Sequence, residues 1–143
     1  MNRGKPSNRR SEKAEVDRTF RSYADALSRG ELSAIVTYCS NPLVVVSQKD
    51  VTVLPTAAEV ETFYGTIRHE LKEQGYSYSK LLEVHVRLLG SGVALVSDVV
   101  TEYKTDGSEL MTLGGTFILR KTDDVWKLVV LTFHPPKYVI RAD

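Results

Sequence analysis

Three histidines, one cysteine and a set of tyrosines are the groups in this 143-residue chain whose chemistry could exceed packing. His134 ends an alternating segment just before Pro135-Pro136. An imidazole there can act as a general base if a neighbour fixes its tautomer, or serve as a strand-end residue bonded to backbone or water. Tyr38 and Tyr64 could donate hydrogen bonds to a ligand carbonyl, or sit in the core with a wet hydroxyl. Cys39 lies on an apolar stripe without an activating cation or histidine, which marks a small core residue. His69 falls opposite the stripe of its helix, and His85 alternates with Glu83 and Arg87 on the polar side of a strand. No histidine pair or cysteine partner has metal-ligand spacing, so neither a metal nor a cofactor is expected. Gly114-Gly115 lies inside a strand pattern and marks a bulge or bend, not a phosphate loop.

The elements that must position these groups follow from periodicity. Val16, Phe20, Tyr23, Ala24 and Leu27 form one helical stripe between residues 12 and 28, with Ser11 able to cap it and Gly30 placed for a left-handed stop. A second, short helix carries Leu32, Ile35, Val36 and Cys39 and ends at Asn41-Pro42. Residues 43–47 and 51–54 are β-rich and flank a turn. Thr56-Ala57-Ala58-Glu59 is a capping box, opening a helix with Val60, Phe63, Tyr64, Ile67 and Leu71 on one face and Gly75 at its end. From residue 79 onward the pattern has period two, and Gly90-Ser91-Gly92, Asp106-Gly107 and Asp123-Asp124 divide it into four antiparallel strands.

Taking each turn as a tight hairpin sets His85 opposite Asp98, Asp98 opposite Gly115, and Thr112 opposite His134. One face then holds Leu82, Val84, Val86, Leu88, Trp126 and Leu128 together with Thr101, Thr112, Thr116, Thr132 and His134, and this face is expected to look inward. With Tyr23, Tyr38 and Tyr64 from the helices, these threonines, Trp126 and His134 would line a largely apolar pocket for a small amphipathic ligand. The other face holds Asp98 and His85, a surface ion pair in this register. It also holds Met111, Leu113, Phe117, Leu131 and Phe133, which read as a homodimer interface. A bulge of one residue would exchange parts of these faces.

Length, composition and charge bound the class. A chain of this size forms one domain that buries roughly two-thirds of its unfolded surface. Residues 1–11 are expected to be a disordered basic tail, and residues 12–143 a single α+β domain. Residues 1–13 carry net +4 within a total of +1, so the remainder is at −3. That balance argues against a nucleic-acid partner. No apolar run is long enough for a membrane span and no signal core is present, which together with the single cysteine points to a cytoplasmic location.

Three helices, a strand pair and a long curved meander, in this order, resemble the nuclear-transport-factor-like superfamily, which includes SnoaL-like polyketide cyclases and ketosteroid isomerase. The resemblance covers about residues 12–136. It rests on the Gly30-Glu31-Leu32 helix opening, the segment from Asn41-Pro42 through Val46, and Asp124-Val125-Trp126-Lys127 entering a last strand that ends in His134-Pro135. It implies a cone-shaped, cystatin-like fold, frequent dimers through the outer sheet face, and a pocket aspartate acting as base, the role Asp98 would take if it pointed inward. Two functions follow as expectations. One is a small-molecule pocket with isomerase- or cyclase-type proton transfer, and the other a non-catalytic dimeric interaction module with a vestigial pocket.

Overall fold

Three helices pack on one face of a six-stranded mixed sheet in the computed structural model, which describes residues 6–141. Helix α1 (Pro6–Arg29) sends Val16, Phe20, Tyr23 and Ala26 into the core. Its start corrects the expected tail, because residues 6–11 are helical. Proline suits a first helical turn and arginine is a good helix former, so local propensity carries the helix backward. Residues 1–5, the rest of the predicted tail, lie outside the described residues.

Gly30 ends α1 at φ +70°, and a side chain there would also strike the Arg68 guanidinium at 2.5 Å. Helix α2 (Leu32–Thr37) leads directly into strand β1 (Cys39–Val46), so Cys39 is a buried strand residue, not the end of a helix. The Asn41-Pro42 peptide within β1 is cis. Strand β2 (Val51–Leu54) pairs back on β1. Helix α3 (Ala57–Glu73) begins as predicted at Thr56, whose hydroxyl oxygen accepts from the Glu59 amide at 3.2 Å. The Glu59 carboxylate accepts from that hydroxyl rather than reaching the Thr56 backbone.

The meander comprises β3 (Tyr76–Leu88), β4 (Val93–Lys104), β5 (Glu109–Thr122) and β6 (Val125–His134), followed by a 3-10 turn at Pro136–Tyr138. The strand order is β2-β1-β6-β5-β4-β3, with β1 and β6 parallel and every other pair antiparallel. The apolar stripes of the helices and the inner sheet face share one core, centred on Phe20, Tyr64, Leu119, Leu128 and Leu131.

Two registers differ from expectation, and they reverse the faces of β4, β5 and the end of β6. Leu89 and Val93 close a three-residue loop with Gly90 and Gly92 at positive φ, where a two-residue loop was expected. His85 therefore pairs with Ser97 and Val84 with Asp98. A slip of one residue turns every following side chain to the opposite face relative to β3. Asp123 and Asp124, both at positive φ, form the last hairpin turn. The turn pairs Thr122 with Val125, one residue off the expected register, and a bulge at Val129 adds one more, so that His134 lies opposite Gly114 instead of Thr112.

Candidate functional site

Between α1, α3 and the inner face of β3–β6 lies a cavity of about 560 Å³. The even residues of β4 face it: Asp98, Val100 and Glu102 line its wall in succession. Phe20, Tyr23, Tyr64 and Phe117 line it as well, and Phe20 and Phe117 lie 5.0 Å apart ring to ring.

Asp98 retains only 5% of its surface. The registers above had aimed it outward, so its inward position is a correction that follows from the slipped β3–β4 turn. Burial pushes its carboxyl up to about 7, and a backbone hydrogen bond from Gly115 pulls the other way. The His85 partner expected for it bonds Glu83 instead, at 2.8 Å within β3.

Tyr23 from α1 and Tyr64 from α3 join hydroxyl to hydroxyl at 2.8 Å. The Cys39 thiol lies 4.0 Å from the Tyr64 hydroxyl and 3.5 Å from the Ile35 carbonyl. Burial raises both tyrosines above the ordinary phenol range, and the charge of Asp98 adds to the shift of Tyr23. Burial also pushes the Cys39 thiol up to about 12, so this sulfur stays protonated and unreactive. Both tyrosines are therefore neutral hydrogen-bond donors at any ordinary pH.

Further along β4, burial raises the Glu102 carboxyl while the charge of Arg68 lowers it. Its Oε1 is shielded and bonded by no protein group. Arg68 is held by α1: its guanidinium donates to the Leu27 carbonyl at 3.0 Å and stacks over the Tyr76 ring at 4.9 Å.

The structure separates the remaining predicted site residues from this cavity. Tyr38 packs against the core without lining the cavity. Trp126 is buried beneath α1, where its indole N–H donates to Glu15 at 3.1 Å. Thr101, Thr112, Thr116, Thr132 and His134 lie on the outer face. There the Thr101 and Thr112 hydroxyls bond at 2.9 Å, and Thr132 donates to the Thr116 carbonyl. His134 Nε2 lies 2.7 Å from Thr116 Oγ1, which lies 2.8 Å from Ser97 Oγ. The segment after β6 folds back over this ladder: the Ile140 amide donates to Ser97, and Arg141 pairs with Glu83. The five residues assigned to a dimer face are also corrected. Phe117 and Leu131 are core, and Met111, Leu113 and Phe133 line the cavity alongside Phe117. Among the described residues no group of three His, Cys, Asp or Glu side chains could hold a metal ion, and no helix is long and apolar enough to cross a membrane.

Residues 12–136 match the model of a family described as NTF2-like protein (DUF6841). The chain belongs to this NTF2-like family. Solved structures agree on the fold. An NTF2-like protein with a cystatin-like fold from Novosphingobium aromaticivorans superposes with a TM-score of 0.70 at 13% identity, covering 92% of this chain and 90% of the other. An NTF-2-like protein of unknown function from Shewanella oneidensis gives 0.67 at 16% identity, covering 84% and 96%. A Streptomyces avermitilis protein of the NTF2-like family, proposed to be a dehydratase, gives 0.67 at 18% identity, covering 87% and 96%. No curated protein matches the chain. The resemblance read from the sequence is thereby shown, as is the α+β, cystatin-like cone.

Within this NTF2-like cone, sequence reasoning missed Glu102 and Arg68 as cavity residues. A usable signal was present in β5, where Met111, Leu113, Phe117 and Leu119 alternate with Thr112, Gly114 and Thr116. Apolar residues at that period belong inside, and Asp98 and Glu102 follow them through the β4–β5 pairing.

Proposed function

We propose that this protein binds a small, largely apolar carbonyl compound in the cavity and transfers a proton on it, with Asp98 as the acid-base group. The observation that carries this reading is a carboxylate buried on an apolar wall and poised near neutrality. Such a group costs stability as an ion, and its pKa lies where a general base and its conjugate acid are both populated.

The step balances within the site. Asp98 as carboxylate takes a proton from the carbon next to the ligand carbonyl. The electron pair of that C–H bond moves toward the carbonyl oxygen, forming an enolate. Tyr23 donates a hydrogen bond to this oxygen, and Tyr64, donating to the Tyr23 oxygen, leaves the Tyr23 proton free for that purpose. The protonated Asp98 then returns its proton to carbon. Dehydration of a hydroxy-carbonyl compound, the reaction type proposed for the Streptomyces avermitilis neighbour, can begin with the same proton removal.

The test is hydrogen–deuterium exchange at the α carbons of 2-tetralone in deuterated buffer, followed by NMR. The protein is expected to accelerate exchange with an inflection near pH 7, and Asp98→Asn to lower the rate by about a hundredfold or more. Exchange no faster than in buffer, or an unimpaired Asp98→Asn protein, overturns the reading.

A further inference from the structure

We infer that a second ligand site lies in the cleft between the first half of α1 and β3, and that it takes a small phosphate monoester whose organic part is apolar. The site is independent of the reading of Asp98, because the cleft and the cavity share no residue.

The basic start of the chain, residues 1–13 at net +4, supplies no described residue to the cavity. Its described part runs beside the edge strand β3, where the spacing of Arg10, Lys13, Ala14 and Asp17 puts them on one face of α1. That face and the β3 residues Val84, His85 and Val86 line a cleft of about 370 Å³, room for a small molecule. Val84, Val86 and Ala14 supply apolar surface, and the Arg10 and Lys13 side chains are exposed beside it. The charges around the cleft do not cancel. Asp17 is engaged by Arg21 at 3.0 Å. The Glu83 carboxylate takes Arg141 on both oxygens, at 3.0 Å each, and His85 at 2.8 Å. Among the described residues no carboxylate pairs with Arg10 or Lys13. Two cations beside apolar surface fit an anion that carries an apolar group.

His85 decides which anion. Its Nε2 faces the Glu83 carboxylate, which only accepts, so Nε2 carries the ring proton and Nδ1 presents a lone pair. A carboxylate or a sulfate ester is fully ionised and has no hydrogen for that nitrogen. A phosphate monoester has one, since its second pKa is about 6 and a proton can be held between a phosphate oxygen and Nδ1. The remaining phosphate oxygens then take the Arg10 fork and the Lys13 ammonium.

The probe is phenyl phosphate, titrated into the full chain near neutral pH and read by NMR on the His85 ring signals, which a His85→Gln variant identifies. Saturable shifts with a dissociation constant below about 1 mM are expected. Phenyl sulfate has the same shape without the exchangeable proton, and inorganic phosphate lacks the ring. Each should bind at least about tenfold more weakly. Arg10→Gln/Lys13→Gln changes two exposed side chains outside the core and should weaken phenyl phosphate at least about tenfold. Shifts that never saturate, or an affinity that survives the double variant, overturn the site. Equal binding of phenyl sulfate overturns the choice of phosphate, and equal binding of inorganic phosphate overturns the apolar part of the ligand.

Discussion

Gly115 faces Asp98 across the β4–β5 ladder, and the volume a side chain would need at that glycine is already filled. A Cβ there would lie 2.5 Å from the Phe117 ring and 3.0 Å from the Asp98 carboxylate. The ring has little room to yield, since Phe20 and Phe133 flank it at 5.0 and 6.1 Å between centroids. Absence of a side chain thus lets a carboxylate and an aromatic ring share one patch of the inner wall. Gly115→Ala is expected to destabilise the fold by about 1–3 kcal/mol, the usual cost of overpacking. Urea denaturation checks this, and a neutral effect would show that Phe117 moves freely.

The position of Asp98 also fixes how stability varies with pH. Its carboxyl is raised from 3.8 to about 7 on folding, so between those values the native state holds a proton that the unfolded chain releases. The unfolded state then binds fewer protons, and stability falls as pH rises through this window. The full shift corresponds to about 4 kcal/mol as an upper bound at alkaline pH. Asp98→Asn removes the ionisation and is expected to be more stable than wild type at pH 8, with the two proteins converging toward pH 4. Equal stability at pH 8 would mean that the native site solvates the charge.

How far the sequence reached depends on whether each strand had one wet face. Elements were legible because helix stripes, the Thr56 cap and the glycine and aspartate turns are local signals. Faces depended on register, and β4 hid its own. Its odd residues Ser97, Val99 and Thr101 are buried, Ser97 accepting from the Ile140 amide of the returning C-terminal segment, and so are the even residues Ala94, Val96 and Asp98, so neither side of β4 read as solvent-facing. The single extra loop residue at Gly90-Ser91-Gly92 then carried the inward face of Val84, Val86 and Leu88 onto the wrong face of β4 and β5, while a further register shift in β3 turned Leu82, expected inward, out to solvent. The clear alternation in β5 pointed the right way, but it was outweighed by hairpin counting. In β6 the expected face held for Trp126 and Leu128, and the bulge at Val129, which puts Leu128 and Leu131 on the same side, reversed it from there on. Nothing local to His134 or Asp98 could have revealed these two events.

The tyrosine pair makes a prediction about additivity. Tyr23 and Tyr64 each satisfy the other at 2.8 Å in a fully buried setting. Removing one hydroxyl deprives its partner of that hydrogen bond, leaving Tyr64 only the weak thiol of Cys39, at a cost of about 1–3 kcal/mol. Removing both leaves no orphan. Tyr23→Phe/Tyr64→Phe is therefore expected to be less destabilised than the sum of the single variants, by about 1 kcal/mol or more in a double-mutant cycle. Strict additivity would show that the two hydroxyls do not depend on one another.

His134 offers the sharpest contrast between a residue that looks catalytic in sequence and its position in the fold. Its Nδ1 lies 2.9 Å from the Pro135 carbonyl, which can only accept, so Nδ1 carries the ring proton. Nε2 must then accept from the Thr116 hydroxyl at 2.7 Å. That leaves the Thr116 oxygen to accept from Ser97, whose own oxygen accepts the Ile140 amide at 2.9 Å. The chain of donors runs without a gap from the C-terminal segment to the end of β6, and it lies on the face opposite the cavity. A fully used imidazole of this kind holds structure. His134→Ala is expected to cost about 1 kcal/mol of stability and to loosen the segment over β4, visible as faster amide exchange at Ile140. Deuterium exchange on 2-tetralone should remain at the wild-type rate in the same variant. A loss comparable to that of Asp98→Asn would move the reacting centre to the outer face and refute the assignment of the cavity.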